Sequence, residues 1–408
     1  MLERKELLQA ILDTYSIPGI VLSEDVFSKT TAFEVNLPPG CDEHILRNYS
    51  KEIALHLGVD SISVATTPRD GVFCVEVRND GSGFVRVGDI FRSLEFIESD
   101  SYLSIALGKA DSGGSIICDL IKAPHLLVGG DSCTGIAVFL DSVIMSVLRK
   151  STPGDVRMLL ADLQPCGLSK YDGTPHMACQ TVTGAREAVG ALLHVYSELD
   201  SRIESLSQGA EMPRLLVIVN EFTCLMTQAK LYLTEIIKAI GRKGKSAHIH
   251  LVLTTQATDH SVVTELLKDS IPARVVFRVT DEEHSRLFLD RTGAEALGEG
   301  DMLYSQSYAA KPLRLKSAYV SSPEISRVVS FLTANNSKPA YDEMLSLMIR
   351  TASRARSPDA VYERIRQDLP SFALPDISAL PPDDEDFKDD EDLLRKREER
   401  KKDWEIDW

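Results

Sequence analysis

Residues 124–144 read PHLLVGGDSCTGIAVFLDSVI. A short apolar run (His125–Val128) leads into a loop bounded by Gly130 and Gly135, and an amphipathic stretch follows. The stretch places Ile136, Phe139, Leu140, Val143, Ile144, Val147 and Leu148 at i, i+3, i+4, i+7 spacing, the stripe of a helix packed on a sheet. Strand, glycine-bounded loop and helix starting near Ile136 form the architecture of a phosphate-binding loop, and the glycine spacing fits GxxxxGK[ST]. In such a loop, backbone N–H groups and a helix N-terminus cradle phosphate. A lysine reaches the β- and γ-phosphates and a Ser or Thr hydroxyl holds magnesium. Here those two positions are Ile136 and Ala137, which offer neither charge nor ligand. Asp131 adds a carboxylate that repels phosphate, and Ser132, Cys133 and Thr134 complete the loop. Two glycines at this spacing also suit an ordinary strand-to-helix turn, so the context must decide.

Outward from the loop, the chain alternates apolar strand cores with helical periods. The strand cores are His125–Val128, Arg157–Ala161, Leu215–Val219, Ile249–Leu253 and Arg274–Val279. Short continuous apolar strands separated by helices predict a central parallel sheet covered on both faces. RLLVIVNEF (214–222) ends in Asn220-Glu221, and IHLVLTTQ (249–256) ends in Thr255 and Gln256. Residues 1–98 read as a small mixed α/β unit: a helix over 4–15, a strand TAFEVNL (31–37), a helix over 43–57, and segments SISVAT (61–66) and FCVEVRN (73–79) paired as a hairpin or meander. Residues 339–368 read as two short helices divided near Ser357-Pro358.

Composition bounds the function. The chain has 408 residues, 43% of them hydrophobic, enough for two or three domains. No apolar run of eighteen residues occurs, so the reading expects no membrane segment, and the charged first helix is unlike a signal peptide. Seven cysteines stand singly, which fits reduced thiols, a cytoplasmic setting and neither a disulfide frame nor a metal site. Net charge is −16; the segment 374–408 contributes −7 and leaves the rest acidic, against the basic surplus common in nucleic-acid binders.

The segments PHLLV (124–128), STPGDVRMLLAD (151–162), YDGTPHM (171–177), HIHLVLTTQ (248–256), IPARVVFRV (271–279) and GAEALGEGDMLY (293–304) together resemble the FtsK/SpoIIIE family of DNA translocases, in the family's order. LGKADSG (107–113) and LPPGCDEHILRNYSKEIALHL (37–57) extend the likeness over roughly residues 1–333. The resemblance implies an α domain over 1–98, a RecA-like P-loop NTPase motor domain over 99–333, a hexameric ring and double-stranded DNA in its pore. It also implies roles: Asn220 stands where the family has a magnesium Asp, Glu221 where a Glu polarises water, and Gln256 at a sensor position. Asp-Pro-Lys of the family is Asp162-Leu163-Gln164 here, and Gln-Arg-Pro is Gln256-Ala257-Thr258. Residues 334–372 are too short for the family's winged-helix domain, whose absence is expected, and 373–408 form a charged tail expected to be disordered.

Both Walker-type motifs are therefore degenerate. Loss of one preorganised charge-stabilising donor commonly costs about 10²–10³ in rate, and here the lysine and both metal ligands are replaced together. The expectation is a pseudo-ATPase with no cofactor, its ATP and magnesium binding weak or absent, acting through ring assembly, DNA or protein contacts. The alternatives are a motor subunit completed in trans by active paralogues in a mixed ring, and a DNA-independent scaffold or adaptor. Trp404 and Trp408, four apart at the end of the tail, are the expected anchors for a protein partner. Gly241–Lys245 reads as a basic loop or a solvated helix end, Arg286 and Arg291 as intersubunit arginines or surface ion pairs, and His248 and His250 as strand neighbours on one face.

Overall fold

The computed structural model describes residues 4–26, 30–57, 59, 62–67, 69, 71–78, 85–110, 113–131, 133–256, 270–298, 300–306, 311–335 and 339–370. Ser132, Ala257, Thr258 and the tail with Trp404 and Trp408 lie outside them.

The first body contains α1 (Arg4–Thr14), β1 (Ile20–Val26), β2 (Thr30–Asn36), α2 (Glu43–Asn48), α3 (Ser50–Leu57), β3 (Ile62–Thr66) and β4 (Val72–Arg78). Its four strands form an antiparallel sheet in the order β1-β2-β4-β3. Strand alternation puts Phe33, Val75 and Val64 in one cross-strand row. That row is buried against Leu8, Ile11, Leu12, Leu46 and Ile53 of the helices. The single helix expected over 43–57 is two: Asp42 caps α2 by accepting from His44 N, and the chain leaves helical geometry at Tyr49. Strand β1 was not expected; its exposed Ile20 and Leu22 and its polar Ser23-Glu24-Asp25 give an edge strand without the usual alternation.

A separate core gathers residues from Val87 to Ile325. Its elements are β5 (Val85–Arg86), α4 (Val87–Phe91), α5 (Leu94–Ile97), β6 (Ser104–Ala110), β7 (Ser115–Asp119), β8 (His125–Gly129), α6 (Cys133–Lys150), β9 (Val156–Asp162), α7 (Ala185–Ser207), β10 (Arg214–Asn220), α8 (Thr223–Lys243), β11 (Ile249–Thr255), β12 (Ala273–Val276), α9 (Glu282–Leu289), β13 (Asp301–Ser305), β14 (Leu313–Tyr319) and α10 (Ser322–Asn335). Two further helices, α11 (Glu343–Ser353) and α12 (Val361–Asp368), follow and are divided near Ser357-Pro358 as expected; α11 packs on α7.

The large sheet runs β7-β6-β14-β13-β12-β8-β11-β10-β9, with β5 beside β14. The expected central parallel sheet is present, and antiparallel strands extend it on one side. The five strands β12, β8, β11, β10 and β9 are mutually parallel, but β13, β14, β6 and β7 extend the sheet antiparallel. Apolar runs mark the parallel strands because both their faces are covered. The half-polar outer strands lack that mark.

Helix α6 begins at Cys133, three residues earlier than its apolar stripe suggested. The stripe itself is buried from Ile136 to Leu148. Two serines fix α6 to β6: Ser142 Oγ donates to Ala106 O (2.9 Å), and Ser146 Oγ accepts from Ala106 N (3.0 Å). Ala106 borders the register shift in the β6–β7 pair, so these side chains satisfy backbone groups at the irregularity.

At the opposite ends of the strands, His125 and His250 are fully buried. His125 Nδ1 accepts from Leu251 N (3.1 Å), and His250 Nδ1 faces Pro124 O (3.1 Å). His248 precedes β11 at φ 57°, so strand alternation does not relate it to His250, contrary to the expected shared face. Burial lowers His125 to about 4 and His250 to about 3. Both folded values lie below the ordinary histidine value, so the stability they confer is complete above about pH 6.5 and falls as pH drops towards 4. At pH 5 each neutral imidazole is expected to cost about 2 kcal/mol relative to pH 7. Urea midpoints at the two pH values check this: the wild type should lose more than His250→Asn, and equal losses would contradict it.

Gly129 and Gly130 pack under two phenylalanines. A Cβ on Gly129 would lie 2.4 Å from the Phe288 ring, and one on Gly130 2.7 Å from Phe277 Cβ at φ +155°. Gly130→Ala is expected to lower unfolding free energy by about 2 kcal/mol; an unchanged denaturant midpoint would refute that packing.

Candidate functional site at the strand ends

Parallel register places the carboxyl ends of β9, β10, β11, β8 and β12 along one edge. Asp162 pairs with Asn220, and Gly129 with Thr255 and Val276. Ligands of open α/β sheets bind outside this edge. The loop from Gly130 to α6 has the strand–turn–helix geometry read from the sequence. Its sequence-predicted residues divide, however, between the core and internal bonds.

Ile136 is 2% exposed and belongs to the hydrophobic core that includes Phe139, Leu140 and Phe277. Its side chain is committed to the sheet, and Ala137 beside it is only partly buried. A Cβ on Gly135 would lie 3.4 Å from the Phe277 ring, an ordinary contact distance. Asp131 is tied down on both sides: its N donates to Arg278 O (3.0 Å), and its Oδ2 accepts from the Thr280 hydroxyl. Cys133 and Thr134 open α6.

Asn220, 6% exposed, is bonded on every side. Its Nδ2 donates to Asp162 Oδ1 (3.0 Å) and Gln164 O (2.7 Å) and lies 3.3 Å from Cys166 Sγ. Its Oδ1 accepts from Thr254 Oγ1 (2.7 Å). Asp162 in turn accepts from the backbone N–H groups of Cys166, Gly167 and Leu168 at 3.1–3.2 Å. Burial, with the Asp162 carboxylate second, pushes the Cys166 thiol far up, so it remains protonated and unreactive.

Glu221 sits at φ 58°, a left-handed conformation that costs about 1 kcal/mol or more for a non-glycine residue and persists only where neighbours enforce it. The neighbours are evident. Its Oε1 accepts from Thr255 Oγ1 (3.1 Å) and the Thr223 hydroxyl, its Oε2 from Gln256 N (3.0 Å), and its own N donates to Thr254 Oγ1 (3.1 Å). Gln256 Nε2 donates to Gln164 Oε1 (2.7 Å). The structure thus brings Asn220, Glu221 and Gln256 together. It adds Asp162, Gln164, Thr254 and Thr255 as their partners. The sequence singles out Asp162, Gln164 and Thr255 by motif position but not the bonds between them, because the partners lie 34 to 92 positions apart.

The remaining candidates fall elsewhere. Lys243 pairs with Asp200 at the end of α8, and Arg286 with Glu282 one turn away. Among the described residues, His194, Glu198 and Asp342 could together face a metal ion. Glu198 is already paired with Arg202, and Asp342 caps α11 by accepting from Leu345 N, which accounts for these groups without a cation. No helix among the described residues is long and apolar enough to cross a membrane.

Residues 86–210 match the FtsK/SpoIIIE family model. The chain is 34% identical over 375 residues to DNA translocase FtsK 2 of Neisseria meningitidis, covering 82% of this chain and 36% of that protein. It is 32% identical over 380 residues to DNA translocase SftA of Bacillus subtilis, covering 88% of this chain and 40% of that one. It therefore spans well under half the length of either relative. The fold resembles the cytoplasmic domain of the Thermomonospora curvata Type VII secretion ATPase EccC (TM-score 0.53, 21% identity, 62% of this chain and 33% of that one). It also resembles the pCW3 conjugation coupling protein TcpA, solved as a monomer form with ATPgS (TM-score 0.51, 16% identity, 80% of this chain and 99% of that one). With its glycine-bounded loop on a mixed α/β sheet, the chain has the RecA-like P-loop NTPase fold and belongs to the FtsK/SpoIIIE family.

Proposed function

We propose that this chain is a non-catalytic member of its family, a pseudo-ATPase that keeps the motor fold and acts through ring assembly with like or related subunits and through double-stranded DNA or protein contacts. The observation that supports it is Ile136. At the position where a phosphate-binding lysine is expected, an apolar side chain is buried in the core under α6. Phosphoryl transfer depends mostly on electrostatic stabilisation by such a lysine and a metal ion. Ala137 offers no metal ligand, and the Asn220 amide is spent on Asp162 and Gln164. The Glu221 carboxylate is held by threonine hydroxyls and a backbone N–H, so it is not poised on an attacking water.

The purified chain, with magnesium, ATP and double-stranded DNA, should hydrolyse no more ATP than a protein-free control. Turnover at ordinary enzyme rates, about 1 s⁻¹ or faster, would overturn the reading. Turnover that appears only on mixing with an active relative would support a subunit completed in trans. Ile136→Lys should not restore hydrolysis, and burying an ammonium group there should cost about 3 kcal/mol or more. Activity in that variant, or unchanged stability, would contradict the placement of Ile136.

A further inference from the structure

We infer that Asn220 is a positioning residue whose amide fastens the ends of β9, β10 and β11 into a latch that closes the former nucleotide edge without any ligand. The inference rests on the non-catalytic reading and deepens it: the edge is not merely stripped of chemistry but wired shut.

The wiring is continuous. Thr254 on β11 donates to Asn220 on β10, and Asn220 donates to Asp162 on β9. Asp162 collects the N–H groups of residues 166–168, which lead into the turn Leu168–Tyr171. From that turn Lys170 Nζ and Tyr171 Oη both donate to Asp141 on α6, at 2.8 and 2.9 Å. One path of hydrogen bonds, continued through the backbone of the turn, thus runs from β11 to α6. Each link is buried or half-buried, where an unmade bond is costly.

Only an amide suits position 220. It must donate towards Asp162 and accept from Thr254 at once, and asparagine does both. An aspartate has the same shape but only accepts. It would set a second carboxylate at the 3.0 Å separation seen between Asn220 Nδ2 and Asp162 Oδ1, with Asp162 itself 4% exposed. Other titratable groups do not relieve that repulsion: the Cys166 thiol faces the amide, Glu221 follows it in the chain, and Lys170 is engaged by Asp141. Restoring the residue type of a working motor at this one position therefore damages the latch.

The test is a double-mutant cycle in the full chain with Asn220→Asp, Asp162→Asn and both together. Readouts are thermal unfolding and amide hydrogen exchange at residues 166–168. Asn220→Asp should lower the midpoint by roughly 5 °C and speed exchange at 166–168 by about tenfold or more. The double variant, which restores an amide facing a carboxylate, should recover at least half of both losses. Thr254→Val, a milder change, should also speed exchange at 166–168 and keeps the test readable if Asn220→Asp does not fold. Additive effects in the cycle, or unchanged exchange at 166–168 in Asn220→Asp or Thr254→Val, would overturn the latch. Hydrolysis by the wild type would instead overturn the non-catalytic reading, and the two failures are separately visible.

Discussion

The parallel register of β9, β10, β11, β8 and β12 is the constraint on which the edge depends. Hydrogen-bonded pairing sets Asp162 beside Asn220 and Gly129 beside Thr255. A slip of one residue in any strand would turn its end residue to the other face and break the network. With both faces covered, burial alone does not set the register; the ladder hydrogen bonds and the close packing of unlike side chains on each face do. The site is thus a product of the core, which sets where the end residues of each strand stand.

Among the described residues, Asp131, Asp162 and Glu221 bring carboxylates to this edge, and each accepts from neutral donors. Asp131 takes the Thr280 hydroxyl, Asp162 takes backbone N–H groups and an amide, and Glu221 takes two threonine hydroxyls and the Gln256 N–H. Neutral donors satisfy a carboxylate without cancelling its charge. Under the non-catalytic reading proposed above, an incoming nucleotide would meet these carboxylates where a P-loop offers a lysine and a cation. The side chains agree with one another: Ile136 faces the core, the Asn220 amide is engaged by Asp162 and Gln164, and the Glu221 carboxylate is held by hydroxyls and a backbone N–H.

The sequence exposed what burial and local geometry dictate. Val156–Asp162, Arg214–Asn220 and Ile249–Thr255 were legible as strands because both faces are covered, and α6 because seven apolar residues share one stripe. The start of α6 at Cys133 was not legible, because its first three residues carry no apolar stripe position. Nor was β1, whose outer residues are exposed, nor the antiparallel flank, whose strands β6 and β7 carry serines and glycine. At the site, the replacements at 136, 137 and 220 could be read directly. The bond from Asn220 to Asp162 could not, because 58 residues separate the partners and only the sheet brings them together.

Equilibrium binding of magnesium-ATP to the intact chain tests the account most directly, because binding precedes any question of turnover or partner. Titration calorimetry should show no saturable heat up to about 1 mM nucleotide, weaker than about 4 kcal/mol of binding free energy. Saturable, magnesium-dependent binding with a Kd near 10 µM or tighter would mean that the edge opens to phosphate, and the account of a site closed by its own side chains would be wrong.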